Sequence, residues 1–259
     1  MDRTVSAPLF AVTLFVGMVV LMEIGRRVRM RQIAGGLKTE LPGLGTVEAA
    51  VFGLLGLMVA FSFSGAAGRF DLRRALVVQE ANIIGTAYLR LDLLSSSDQP
   101  PLRALFRSYL DSRLETYRRL PDIQAAEKEL ARTGEIQGEI WSRAIADVRN
   151  PNSQPDSAKL LLPALNEMID ITTTRTMAAR SHPPAVLFYL LLGLGLVASL
   201  LAGYGMGSGD RHSWIHILGY AAVTAIVLFV VLDLEFPRLG YIRLDAYDQV
   251  LVELRNSMK

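Results

Sequence analysis

The chain has 259 residues, no cysteine, 51% hydrophobic residues, and 27 basic against 25 acidic side chains, with a mean hydropathy of +0.31. That composition excludes a disulfide scaffold, a disordered tail and a collagen-like chain. The charges are clustered, 31 of the 52 lying between Arg69 and Arg180, which excludes an ordinary soluble enzyme and predicts a membrane protein with a polar insert.

A bilayer core of about 30 Å needs roughly 20 mostly apolar helical residues. The first such stretch runs from about Ala7 to Gly25, with Glu23 its one charge. Its basic cluster, Arg26, Arg27, Arg29 and Arg31, follows the apolar run instead of preceding it, so a retained helix is expected and not a cleaved signal peptide. After the breakers Pro42 and Gly43, a second stretch spans about Val47 to Ala67, with Glu48 at its mouth. No proline occurs between Thr46 and Ser95. Helix two is therefore predicted to leave the lipid as one rod about 75 Å long. On its outer half Phe70, Val77, Ile84 and Leu91 recur every seven residues, with Ala81 and Tyr88 filling the intervening face. Apolar stripes at this spacing face a helical core. Glu80 with Asn82 is a candidate buried polar pair within the rod.

The polar insert continues after the turn Ser95–Pro101. One helix carries Leu102, Leu105, Phe106, Tyr109 and Leu110. The next, started by Pro121, carries Ile123, Leu130, Ile140, Trp141 and Val148. After a turn at Asn150–Pro155, a helix capped by Asp156 and bent at Pro163 carries Leu162, Leu165, Met168, Ile169 and Thr172. Pro183 and Pro184 open a third spanning stretch, about Pro184 to Tyr204. A glycine-rich hairpin, Tyr204–Asp210, leads to a fourth, about Ser213 to Leu232, which Phe236–Pro237 stops.

The expected fold is thus all-α: four transmembrane helices with a large helical extramembrane bundle inserted between helices 2 and 3. Residues 1–68 form transmembrane helices 1 and 2, 69–182 the bundle, 183–235 transmembrane helices 3 and 4, and 236–259 an amphipathic C-terminal segment. With 16 basic against 15 acidic residues, the insert offers no nucleic-acid surface. Alternation puts both termini and the insert on one side. The overall count of flanking arginines places that side in the cytoplasm, at the cell inner membrane. The basic flank of the first helix alone argues the reverse, and arginines snorkelling from a longer first helix would soften that conflict.

Two groups of residues are candidate functional sites. On helix two, Leu57, Phe61, Ser64 and Gly68 share one face and are pore-lining candidates, beside a small-residue stripe of Gly53, Gly56, Ala60, Ser64 and Ala67 suited to close helix packing. Where helices two and four leave the lipid, Arg69, Asp71, Arg73 and Arg74 face Asp233 and Glu235 at similar depth. Interhelical pairing is expected there, either as a structural clamp or as a vestibule whose arginines attract anions. His212 and His216, four apart with Asp210 nearby, fall short of a metal site. No nucleophile elbow, phosphate-binding loop, His-Glu-x-x-His or cysteine pair occurs. Neither catalysis, a metal nor a cofactor is expected.

Three runs carry a resemblance: Gly53-Leu-Leu-Gly-Leu-Met-Val-Ala-Phe-Ser-Phe-Ser64; Arg69-Phe-Asp-Leu-Arg-Arg74 with Glu80-Ala-Asn82 and Gly85-Thr-Ala-Tyr-Leu-Arg-Leu-Asp92; and Asp233-Leu-Glu-Phe-Pro-Arg-Leu-Gly240. Together they resemble a bacterial membrane-protein family described as bestrophin-like, over nearly the whole chain. The resemblance implies a pentameric anion channel in the lipid bilayer, with four spanning helices per subunit, cytoplasmic termini and an apolar neck lined by helix two. Leu57 and Phe61 would occupy the neck. The competing expectation is a non-conducting membrane scaffold or sensor whose insert binds a protein or ligand.

Overall fold

The computed structural model describes residues 3–36, 43–150, 154, 156–207 and 213–258, and the side chains from Pro8 onward. Its elements are α1 (Arg3–Ala34), α2 (Leu44–Leu89), a 3-10 turn (Arg90–Leu93), α3 (Gln99–Arg118), α4 (Ile123–Val148), α5 (Ser157–Arg180), α6 (Ala185–Met206), α7 (Trp214–Glu235), a second 3-10 turn (Asp245–Asp248) and α8 (Gln249–Ser257). No strand occurs among the described residues. The fold is all-α, with four helices long and apolar enough to cross a membrane. The predicted turn at residues 151–153 and 155, Pro42, and the hairpin at 208–212 lie outside the described residues.

The chain divides into two compact units, one of Met1–Gly68 with His182–Phe236, the other of Arg69–Ser181 with Pro237–Lys259. The first holds α1, the amino-terminal half of α2, α6 and α7. Leu14, Met18, Leu191, Ala221 and Leu228 form its core, and Met58 and Val59 of α2 rest against them. The apolar stretch from about Ala7 to Gly25 lies within a longer helix, α1 continuing to Ala34. Arginine and methionine are good helix formers, so the basic flank prolongs the helix instead of ending it. Its inner side, Leu14, Met18, Met22 and Arg29, is buried, and Arg29 lies over the Tyr204 ring of α6 at 5.2 Å.

The second unit packs the outer half of α2, α3, α4, α5 and α8 around one core. Val77, Ile84 and Leu91 are fully buried, as their seven-residue spacing predicts, and Phe106, Tyr109, Leu110, Leu165 and Met168 join them. Phe70, the first of the heptad series, stays outside this core. Leu251 and Met258 from the C-terminal segment are part of it.

Three local expectations need correction. α4 begins at Ile123 and not at Pro121, because Asp122 is the N-cap: its carboxylate accepts the Ala125 amide at 3.0 Å. Ile123, expected on the apolar face, is 54% exposed in consequence. Asp156 stands at the N-cap of α5 but makes no side-chain cap; its carboxylate takes Lys159 at 3.0 Å instead. The Asp122 cap is expected to matter modestly. Asp122→Ala should cost about 1 kcal/mol, a drop in melting midpoint of roughly 3 °C in a thermal scan.

Candidate functional site

Helix α2 is one uninterrupted helix of 46 residues, about 69 Å at 1.5 Å per residue. Its amino-terminal half is apolar yet almost uncovered. Of its most hydrophobic stretch only 6% is buried, against 22–28% for the other three spanning helices. The back of this half, Leu55 and Ala66, is buried, and Phe52 meets Tyr220 of α7 edge-on at 6.1 Å. The front carries the four pore-lining candidates. Leu57 and Phe61 are 50% and 64% exposed, and Ser64 and Gly68 are exposed too. Steps of four, three and four residues place them on one line along the helix. Beside that line lies the small-residue stripe. A Cβ at Gly53 or Gly56 would meet nothing within 4 Å. Small residues that pack against nothing in their own chain leave room for another backbone.

The interfacial charges have partners that the sequence reading did not foresee. Arg73 is 6% exposed. Its Nε donates to the Ala178 carbonyl at 3.0 Å and its Nη2 to the Ser181 carbonyl at 2.8 Å. These are carbonyls at the carboxy end of α5, which lack intrahelical donors. Arg73 is thus a C-terminal clasp for that helix. Arg74 pairs with Asp71 at 3.2 Å and lies over the Tyr247 ring at 5.4 Å. Arg69 is half-buried. In the other unit Asp233 and Glu235 are buried. Glu235 Oε1 lies 2.9 Å from His182 Nδ1, and the His182 ring stacks on Phe236 at 4.5 Å. His182 was not singled out in the sequence, where an isolated histidine before two prolines carries no signal.

Glu80 is fully buried, but not beside Asn82, which is exposed. Residues two apart on a helix point to different sides. Glu80 sits between two arginines: Arg113 Nε donates to it at 2.6 Å and Arg175 Nη1 to its other oxygen. Burial pushes the carboxyl up, but the two guanidiniums outweigh it and hold the group below the ordinary carboxylate value. Arg113 also donates to the Tyr117 hydroxyl at 2.8 Å. Arg175 and Arg238 lie over that ring at 4.3 and 4.5 Å, and Arg238 is paired with Asp248. Tyr109 shares a 3.0 Å hydrogen bond with Thr172, and burial pushes its phenol up to about 12. It stays a neutral donor. Near this network a crevice of about 380 Å³ is lined by Tyr117, Arg118, Arg238, Arg243, Asp245 and Asp248 among others.

His216 of the candidate histidine pair bonds Ser213 at 2.6 Å, while His212 and Asp210 lie outside the described residues. No grouping of three metal-ligating side chains occurs among the described residues.

Comparison with known proteins adds a family to this geometry. The sequence model of the bestrophin-like domain matches residues 12–245. Two crystal structures of point variants of a bacterial bestrophin homologue from Klebsiella pneumoniae have a similar fold. One superposes with a TM-score of 0.62 at 13% identity, covering 95% of this chain and 99% of that one. The other gives 0.58 at 14% identity, covering 96% and 100%. No curated protein matches the chain.

Proposed function

Because the chain belongs to the bestrophin-like family, we propose that it is one subunit of a homo-oligomeric anion channel whose pore is lined by α2. The observation that carries this reading is the bare apolar half of α2. An apolar stretch of which only 6% is buried in its own subunit, with Gly53 and Gly56 open on one flank, is built to be covered by copies of itself. The small stripe then packs against the neighbouring copy, as small residues do between helices in lipid. Leu57, Phe61, Ser64 and Gly68 turn to the symmetry axis. Closed rotational symmetry brings the same line from every subunit to that axis, and five copies is the number the family resemblance implies. Leu57 and Phe61 form an apolar constriction that gates by dewetting. Anion selectivity rests on the family resemblance, since this line of four residues carries no charge. We assign Arg69, Asp71, Arg73, Arg74, Asp233 and Glu235 to bracing and not to conduction, because Arg73 and Glu235 are held by carbonyls and by His182. The insert and both termini face the cytoplasm in this reading, with the subunit in the inner membrane, and no catalytic step is assigned.

Recording from purified protein in planar bilayers under a potassium chloride gradient tests the proposal. Discrete currents reversing near the chloride potential are expected, from a particle several subunits in mass. Reversal near the potassium potential removes the anion part alone. An intact oligomer silent across salts and pH removes the channel and leaves the scaffold or sensor reading. Phe61→Ala sharpens the test. Phe61 is 64% exposed in the subunit, so its loss should change subunit stability by no more than about 0.5 kcal/mol. Unitary conductance should nevertheless rise severalfold. A conductance equal to the parent's takes Phe61 out of the constriction.

A further inference from the structure

The four arginines that follow the first apolar stretch do three different things. Arg29 points inward and is 1% exposed. Arg26 lies to the side, donating to Glu23 at 2.9 Å through both Nε and Nη2. Arg27 and Arg31 point outward. Arg27 is 66% exposed and shares Glu23 at 2.6 Å; Arg31 is exposed. Their direction is set by the helix. Leu9, Val12, Val16, Val20 and Ile24 are each between 45% and 59% exposed and follow one another at three- and four-residue steps. A three-residue step from Ile24 reaches Arg27, and a four-residue step from Arg27 reaches Arg31. The outward face of α1 is therefore one apolar stripe ending in two guanidiniums, diametrically opposite the buried side formed by Leu14, Met18, Met22 and Arg29.

A face of this kind matches a phospholipid more closely than it matches a protein. The stripe from Val16 to Arg27 is about 16 Å long, close to the roughly 15 Å of one leaflet's hydrocarbon. At its end the guanidinium forks suit a phosphodiester, which they bind bidentately. Glu23 is already shared between Arg26 and Arg27, and so leaves the cluster with a positive excess. We infer that Arg27 and Arg31 form a binding site for an anionic phospholipid, its phosphate held by the two guanidiniums and an acyl chain lying along Val16, Val20 and Ile24. The site stands whether or not the chain conducts, because its readout is lipid and not current.

The test is native mass spectrometry of the purified full-length protein, titrated with phosphatidylglycerol or phosphatidylcholine in detergent. The parent should retain phosphatidylglycerol in preference. Each arginine near an anionic headgroup contributes about fivefold in affinity, so R27Q together with R31Q should weaken phosphatidylglycerol binding about thirtyfold and leave phosphatidylcholine unchanged. Arg27→Lys with Arg31→Lys keeps the charge and should lose far less, which separates lost charge from a misfolded subunit. Arg118→Gln, at an exposed arginine in the other unit, should change nothing. Equal retention of the two lipids by the parent, or undiminished phosphatidylglycerol on the glutamine variant, overturns the site. So does displacement of bound lipid by millimolar inorganic phosphate, which would mean a phosphate site without an acyl groove. The chain has no cysteine, so Arg31→Cys introduces a single thiol. Its disulfide cross-linking between copies in intact membranes would assign the face to a second subunit and also overturn the proposal.

Discussion

Glu80→Gln is expected to lower the melting midpoint of the extramembrane unit by roughly 10 °C, the equivalent of about 3 kcal/mol or more. The substitution changes no shape. It removes one negative charge from a place where two positive charges remain. Glu80 and Arg113 are both fully buried, and Arg175 is 5% exposed at its side chain. With Glu80 neutral, two guanidiniums face each other inside the bundle, left with Tyr117 and Asp248. Removing one member of a buried ion cluster is far costlier than replacing the cluster, because it strands charge away from water. Adding Arg113→Met to Glu80→Gln should therefore recover part of the loss, although it deletes a second polar group. A double variant less stable than Glu80→Gln alone would show that Arg113 contributes packing and not charge. The same cluster sets an acid limit. The folded carboxyl lies below its ordinary value of 4.5, so its stabilisation is complete above that value. It is lost as pH falls through the lower, folded value. Melting midpoints of the parent should fall steeply on acidification below about pH 4.5, and Glu80→Gln should show a shallower fall across the same range.

The positions of Glu80, Arg113 and Arg175 show how far the sequence could be read. The apolar periodicity of the outer half of α2 was legible because Val77, Ile84 and Leu91 repeat within one helix, and burial follows from that repeat alone. The polar partners were not legible. Glu80 lies 33 residues from Arg113 and 95 from Arg175, and no local pattern announces a contact between α2, α3 and α5. A neighbour two residues away, Asn82, was nearer in sequence and on another side of the helix. The hold of Arg73 on α5 was not legible for a related reason. Its Nε and Nη2 donate to backbone carbonyls at the end of α5, and a carbonyl has no residue identity to recognise. Asp122 and Asp156 show the limit at helix ends. Both are aspartates beside a proline or a turn, and only one caps: Asp122 has the extended backbone that aims an N-cap carboxylate at the Ala125 amide, while the backbone of Asp156 is already helical. The pore-lining candidates were legible as a helical line, since Leu57, Phe61, Ser64 and Gly68 need only helical geometry. Their lack of cover within the chain was not, because exposure depends on where α1, α6 and α7 pack.

Gly203→Leu is expected to abolish recovery of a folded spanning unit, and Gly203→Ala to damage it severely. The sequence drew attention to the small residues of α2, but the glycines that let two spanning helices meet backbone to backbone lie elsewhere. A Cβ at Gly203 of α6 would land on the Met22 backbone of α1, its carbonyl oxygen, carbonyl carbon and Cα. The approach is reciprocal. A Cβ at Gly25 of α1 would meet the Leu200 carbonyl, with the Tyr204 amide nitrogen at 2.8 Å. Neither neighbour is a flexible side chain that could swing aside, so a methyl group must push the helices apart. Lipid supplies no hydrophobic force to draw them back, since acyl chains solvate leucine as well as leucine does. Association rests on close packing, and separating α1 from α6 also loosens Leu14, Met18 and Leu191 at the unit's core. Overpacking of this kind costs about 1–3 kcal/mol even where side chains can adjust, and here backbone stands in the way. Gly193 on the same helix is the control. A Cβ there meets nothing within 4 Å, so Gly193→Ala should be tolerated, or gain up to about 1 kcal/mol from helix propensity. Size-exclusion profiles after detergent extraction distinguish the cases. Gly193→Ala should elute as the parent does, Gly203→Ala should give a reduced and broadened peak, and Gly203→Leu should appear only as aggregate. A Gly203→Ala profile and melting midpoint equal to the parent's would mean that the two helices do not cross at this point.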